Sequence, residues 1–280
     1  MTNQIRILTF DVKHGNCHAI WSPSGKLVVI DIGTSDDFSP MKWMKSQNLK
    51  TIDLLILTHP HDDHLRGFTD SDGMTVKFLH RPKNIPANLI TELDADLKKA
   101  WERYDAHYSA PVPDADKFYD ASSAAFDGLS LRFFGGKSDS ANLNNYSVVT
   151  VLDYAGLKVV FPGDLENLGW TALLKDETFK KAIQGTQILV AAHHGREAGW
   201  CAELFDYIAP QLILVSDHSE TETSYVTSYS QKASGAKVRS RATSEIKSRN
   251  VVSTRDNGHI DINVSATTAG YNYTVDIDHH

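Results

Sequence analysis

Residues 54–64 read Leu54-Leu55-Ile56-Leu57-Thr58-His59-Pro60-His61-Asp62-Asp63-His64. Four apolar residues in a row read as a buried strand, and this one runs directly into the pattern H-x-H-x-D-H. His59 and His61 are two apart, so on an extended strand end they project to one side and can grip one metal ion. Asp63 and His64 follow once the chain turns, and can face a second ion close by. Gly67 then lets the chain turn away. Imidazole and carboxylate ligands suit Zn²⁺, and also Mn²⁺ or Fe²⁺. The bland alternative is a polar loop whose histidines cap a helix. Three histidines and two aspartates within six residues, straight after an apolar strand, weigh against it.

Working outward, the run Val159-Val160-Phe161-Pro162-Gly163-Asp164 is a second apolar strand, ending in a carboxylate that two cations can share. A third, Ile188-Leu189-Val190-Ala191-Ala192, ends in His193-His194-Gly195. One histidine of that pair also fits a helix-start position bonded to backbone. Three strands that all end in ligand-type side chains place the site at one edge of a sheet, where loops can be shaped for a substrate. A terminal pair, His279 and His280, is set aside.

The 280 residues are 41% apolar and 22% charged, the proportions of a globular protein, and α/β architectures of ~250 residues often form one domain. No apolar run approaches the ~20 residues of a spanning helix, and no signal peptide is visible. Two isolated cysteines, Cys17 and Cys201, fit a reducing compartment, so a soluble cytoplasmic protein without membrane partners is expected. Short β-like runs at 5–11, 17–21, 27–32, 53–58, 129–134, 147–154, 157–161, 187–192, 211–216, 251–254, 260–264 and 271–277 alternate with helical stretches at 40–49, 86–109, 168–183 and 201–208. This is an α/β pattern with mixed sheets.

Taken together, the motifs resemble those of the metallo-β-lactamase-fold hydrolases: H-x-H-x-D-H, then a Gly-Asp strand end and a final histidine. The closer resemblance is to the branch containing the soluble hydrolase domain of ComEC and the phosphorylcholine esterases. It rests on Asp11-Val12-Lys13-His14-Gly15-Asn16 against D-V-G-Q-G-D, Asp31-Ile32-Gly33, Thr58 to His64, Asn144-Asn145-Tyr146-Ser147, Gly163-Asp164 and His193 to Gly195. The resemblance implies a four-layer αββα sandwich spanning 1–280 as a single hydrolase domain, with residues 80–128 as a helical insertion or lid. It implies two divalent ions, Zn²⁺ first and Mn²⁺ second. His59 and His61 would hold one, Asp63 and His64 the other, with Asp164 bridging and His194 completing the second site; His193 is the fallback. The third histidine that many members place before the Gly-Asp strand is missing, and Asn144 stands in that region. Lys13, His14 and Asn16 depart from the branch pattern too, and either His14 or His18 could approach the site or serve as a structural histidine.

Two such ions supply hydroxide at neutral pH, with Asp63 placed to orient it and take its proton. The expected function is therefore a metal-dependent phosphodiesterase or nuclease acting on DNA or RNA. A hydrolase of a small phosphoester, lactone or thioester is the alternative, and a non-catalytic metal-binding module a third. The net charge of −7 argues mildly against a nucleic-acid-binding surface. Against that average, residues 232–255 carry seven basic residues and one acid. Arg239, Arg241 and Arg249 in this stretch are candidates for an anion-binding rim, or else belong to a solvated helix face and loop. The aromatic residues of 101–119 (Trp101, Tyr104, Tyr108, Phe118) read as a lid or as core. No Walker loop, G-x-S-x-G elbow or dinucleotide fingerprint is present.

Overall fold

The computed structural model describes residues 3–82, 85–108, 126–135, 141–218 and 225–279. Fifteen strands form two sheets among these residues. Nine belong to the first: β1 (Gln4–Thr9), β2 (His18–Trp21), β3 (Leu27–Ile30), β4 (Thr51–Ile56), β5 (Thr75–His80), β11 (Ala236–Ser240), β12 (Ile246–Arg249), β14 (Ile260–Thr267) and β15 (Gly270–Ile277), in the order β12-β11-β15-β14-β1-β2-β3-β4-β5. The second holds β6 (Ser130–Gly135), β7 (Val148–Tyr154), β8 (Leu157–Phe161), β9 (Ile188–Val190), β10 (Leu212–Val215) and β13 (Val251–Ser253), in the order β13-β10-β9-β8-β7-β6. Both sheets are mixed: β3, β4 and β5 run parallel, as do β8, β9, β10 and β13.

The sandwich follows from residues that are apolar on both faces of the central strands. Leu54 and Ile56 of β4 join Val159, Phe161, Val190 and Leu214 in the core between the sheets. Leu55 and Leu57 face outward onto Met41, Met44, Leu65 and Trp101. On the far side, Val160, Leu189 and Ile213 pack under Trp170, Leu173, Phe179 and Ile183. Covering both sides of each sheet explains why these strands read as unbroken apolar runs, and gives the four-layer αββα order that the resemblance implied. Among the described residues no helix is long and apolar enough to cross a membrane.

The helices follow local chemistry. Ser39 caps Pro40–Ser46 by accepting from the Lys42 N–H, with Pro40 in the first turn. Several expectations need correction. The stretch 168–183 is two helices, Asn167–Leu173 and Glu177–Ile183, because Asp176 caps the second by accepting from Thr178 N–H at 2.7 Å. Residues 201–208 form only a 3₁₀ turn, Ala202–Asp206. The basic stretch is mostly strand rather than helix face: between Lys232, at the end of a helix, and Arg255, in another, β11 and β12 make an antiparallel pair at the edge of the first sheet. Within 80–128, helices Ala87–Thr91 and Ala95–Tyr108 are present, and Trp101 is buried in the layer outside the first sheet. The remainder of the expected lid, with Phe118 and the side chains of Tyr104 and Tyr108, lies outside the described residues.

Direction decides where the site sits. The C-terminal ends of β3 and β4 in one sheet and of β8, β9 and β10 in the other meet at one edge of the sandwich. They are laced together there: Val148 N–H donates to Thr58 O at 3.0 Å, and His193 N–H to Gly163 O at 3.1 Å. Gly163 has φ +57, and a Cβ on it would lie 2.7 Å from Thr58 Cβ, so only glycine lets the second sheet approach this closely.

Candidate metal centre

Four ligand-type side chains converge at that edge. One ligand atom each from Asp63, His64, Asp164 and His194 lie within 4.8 Å of one another. His64, Asp164 and His194 are buried and Asp63 is half-buried. Asp63 and His64 lie in the one-turn helix Asp62–Leu65 that follows β4. His193 and His194 take φ +49 and +57, a left-handed conformation costing roughly 1–2 kcal/mol per residue. Strain of this kind is retained where surrounding structure enforces it, commonly at functional sites.

Hydrogen bonds fix which ring nitrogen each histidine presents. His194 Nδ1 lies 2.8 Å from Ser216 O, which can only accept, so Nδ1 carries the proton. His194 Nε2 is thereby turned inward, facing Asp63 Oδ2 at 3.2 Å. His64 repeats the pattern: Nδ1 donates to Asp31 Oδ2 at 2.7 Å, while the buried Nε2 makes no aligned hydrogen bond, 3.2 Å from Asp164 Oδ1 and 3.8 Å from Asp63 Oδ2. Inward ring nitrogens facing carboxylates need a positive charge between them, a proton on the ring or a metal ion. Outward Nδ1–H to an acceptor with inward Nε2 is how metal-ligating imidazoles are oriented, so these four residues fit a divalent ion.

His59 and His61 form the second part of the centre. Thr58 Oγ1 spends its hydrogen on Asp31 Oδ2 (2.8 Å) and so accepts from His59 Nδ1 (3.1 Å). His59 Nε2 is thereby aimed inward, 3.0 Å from His61 Nδ1 and 3.9 Å from Asp164 Oδ2. Asn144 lies beside His61, its Oδ1 buried and without a hydrogen-bond partner, while its Nδ2 donates to Glu166 Oε1 at 2.7 Å. His193 Nε2 is 3.8 Å from Asp164 Oδ2. Asp164 thus faces both groups of histidines, as a shared ligand must.

The charges agree with this layout. Burial opposes the ionisation of Asp164, but His64 and His194 outweigh it and hold its pKa well below the carboxylate range. Burial likewise opposes protonation of His64, yet Asp164, Asp31 and Asp63 overcome it and raise its pKa. His59 and His61 go the other way, pushed down chiefly by burial. Without metal, then, the carboxylates favour the protonated forms of His64 and His194, a positive charge that a divalent ion would supply instead.

A sequence profile described as the metallo-beta-lactamase superfamily matches residues 10–213. The chain belongs to that superfamily. No curated protein sequence matches it significantly. Among solved structures, CmlA, a diiron β-hydroxylase from Streptomyces venezuelae, is 17% identical with TM-score 0.46, the match covering 75% of this chain and 44% of CmlA. This chain therefore spans under half the length of that protein. The metallo-β-lactamase fold protein YhfI from Bacillus subtilis is 10% identical with TM-score 0.46, over 80% of this chain and 91% of YhfI. A diphosphatase from the PhnP family is 11% identical with TM-score 0.45, over 91% and 96%. For a superfamily member with this donor set, divalent metal ions are the implied cofactor.

The motif residues His59, His61, Asp63, His64, Asp164 and His194 are all brought to one edge, with Asn144 and His193 beside them. His14 also reaches the centre, its Nε2 3.6 Å from Asp63 Oδ2. His18 does not: it is wholly buried, paired with Thr9 Oγ1 at 2.9 Å and edge-on to Phe161. The basic stretch is engaged elsewhere. Arg239 forms a two-pronged pair with Asp276 (2.6 and 2.9 Å), and Arg241 pairs with Asp261 and Asp278 (2.5 and 2.9 Å). Arg249 lies in β12 opposite Ala236, its Nε buried. Sequence reading gave no role to Glu166 or Arg196. The only available signals were their places, two residues beyond Asp164 and beyond His194.

Proposed function

We propose that the chain is a metal-dependent phosphodiesterase of the ComEC-like branch that cleaves DNA or RNA. The observation that carries the hydrolytic part is the pair of inward ring nitrogens, His64 Nε2 and His194 Nε2, aimed at two carboxylates between them. His64, His194, Asp63 and Asp164 would hold one ion. His59 and His61, with Asp164 shared and Asn144 Oδ1 or His193 adjacent, would hold the other. Zn²⁺ suits the first set; the oxygen donor of Asn144 makes Mn²⁺ a candidate for the other. When bound, such ions supply a hydroxide nucleophile at neutral pH and neutralise charge on the attacked group.

This chain's own residues do the rest. Asp63, held by His194 and partly exposed, orients the attacking water and accepts its proton. Asp31 fixes His64, and Ser216 O fixes His194, so neither ring reorganises during the reaction. The protein is expected to be cytoplasmic, with nucleic acid as its partner.

A second reading, hydrolysis of a small phosphoester, lactone or thioester, is favoured by the internal pairing of Arg239 and Arg241. Those guanidiniums are already matched by carboxylates and leave little free charge for a polyanion. One experiment separates the two. Protein loaded in turn with Zn²⁺ and Mn²⁺ is incubated with labelled duplex DNA, single-stranded DNA and RNA, beside an identically purified Asp164→Ala variant. Cleavage lost in the variant and weakened steeply by salt is the expected result. Metal-loaded protein that cleaves none of them sinks the nuclease reading.

A further inference from the structure

Beside the metal ligands lies a cation without an acidic partner. Arg196 Nη2 donates to His14 Nε2 at 3.2 Å, and Arg196 Nη1 lies 3.4 Å from His193 Nε2. Among the described residues no carboxylate pairs with it, although the protein places Asp63, Asp164 and Glu166 against the neighbouring histidines. A guanidinium paired with imidazoles and no carboxylate keeps its planar fork and its charge unmatched, the geometry that suits two phosphate oxygens.

The position is built rather than incidental. Asn16 N–H donates to Asp63 O at 3.1 Å, and Ser216 Oγ donates to Gly15 O at 2.7 Å. Ser216 is the residue whose carbonyl orients His194. The loop carrying His14 is therefore pinned on both sides to the elements that carry Asp63 and His194. The His14 ring lies 4.6 Å from the His194 ring, and its Nδ1 is buried without a hydrogen-bond partner. His14 also occupies a position where the sequence departs from the branch motif. Arg196 comes from the other side, immediately after the strained His193-His194-Gly195 turn, where all three residues have positive φ. Two loops 182 residues apart thus deliver one cation and one imidazole to the rim of the metal centre.

We infer that Arg196 and His14 form an oxyanion subsite that seats the phosphoryl group of the substrate next to the metals, so that the enzyme selects phosphoesters over neutral lactones or thioesters. The inference deepens the hydrolase reading above and rests on it for the identity of the neighbouring ions. Incoming phosphate oxygens take over the fork from the two imidazoles, which are weaker acceptors than an anion.

Inorganic phosphate is the probe. Its binding to zinc-loaded protein is measured by calorimetry for the wild type, Arg196→Ala, Arg196→Lys and His14→Ala, with zinc content and circular dichroism recorded for each. Arg196→Ala is expected to weaken phosphate binding about tenfold or more, Arg196→Lys to recover part of the loss, and His14→Ala to lose several-fold, all at unchanged zinc content. Equal phosphate affinity in wild type and Arg196→Ala overturns the inference, as does a loss that only tracks loss of zinc. The two readings fail separately. Arg196-dependent phosphate binding without hydrolysis of any ester leaves the subsite standing and removes the hydrolase. Phosphodiester hydrolysis with the same KM in Arg196→Ala does the reverse.

Discussion

Replacing Asp31 with asparagine tests how the centre is oriented, because Asp31 touches no substrate and lies behind His64. Its carboxylate is fully buried. It accepts from Thr58 N–H (2.8 Å) on Oδ1, and from Thr58 Oγ1 (2.8 Å), Asn16 Nδ2 (3.0 Å) and His64 Nδ1 (2.7 Å) on Oδ2. Asparagine is nearly the same size and tolerates the residue's φ of +56, so the change isolates charge and hydrogen bonding. With only one acceptor oxygen, the substituted side chain must turn its NH₂ toward the Thr58 N–H, leaving two donors face to face. A stranded buried donor costs about 1–3 kcal/mol, and a neutral acceptor at His64 loses about 1 kcal/mol more relative to a charged one. The metal-free Asp31→Asn variant should therefore lose about 2–4 kcal/mol in urea unfolding. Removing the orienting partner of a metal-bound histidine typically weakens metal binding 10–100-fold. Chelator competition with zinc reads that loss directly. If the variant's zinc affinity stays within about twofold of wild type, His64 is not a ligand held by Asp31, and the argument from ring orientation fails with it.

The loop around Asp63 gives a second test. A Cβ on Gly33 would lie 2.3 Å from Asp63 O and 2.6 Å from Asn16 N, so Gly33→Ala is expected to destabilise by roughly 1–3 kcal/mol and to lower zinc content; unchanged values would mean these loops are not packed as described. Away from the ligands, burial, with lesser contributions from His64 and His194, pushes the His18 pKa down to about 3. His18 is then neutral in the fold while the unfolded chain takes up a proton near pH 6.5, so its contribution is intact above that pH. Stability falls as the solution is acidified from about 6.5 toward 3, by up to ~1.4 kcal/mol per pH unit. The difference between urea-unfolding curves of wild type and His18→Asn should show that slope between pH 6 and 4, and parallel curves would contradict it.

The central strands were legible because burial on both faces leaves unbroken apolar runs leading to the site, residues 54–56 in β4, 159–161 in β8 and the whole of β9 and β10. Strands β5, β11 and β12 were not. β5, Thr75-Val-Lys-Phe-Leu-His80, carries the exposed Thr75 and Lys77 within its six residues. In β11 the exposed Lys237 and Arg239 alternate with Ala236 and Val238, and β12 sets Lys247 and Arg249 against the single apolar Ile246, so charge drew the reading away from a sheet. The split at Asp176 was hidden because apolar spacing continues across it, while a side-chain cap ends the helix locally. The ligand motif was readable since most of it is contiguous. The contact between His14 and Arg196 was not: it exists only once two sheets have docked, and neither residue's neighbours in sequence mark it.

The same docking bears on how the molecule holds together. His59, His61, Asp63 and His64 follow a strand of the first sheet, whereas Asp164 and His194 follow strands of the second. An ion gripped by both groups is a rivet through the seam of the sandwich. The unfolded chain offers no comparable cluster, since the two groups of ligands stand far apart in sequence, so binding energy becomes folding energy. Chelation should then do more than silence a site. It should unclasp one edge of the protein, making the docked state of the two sheets answer to the metal supply around it.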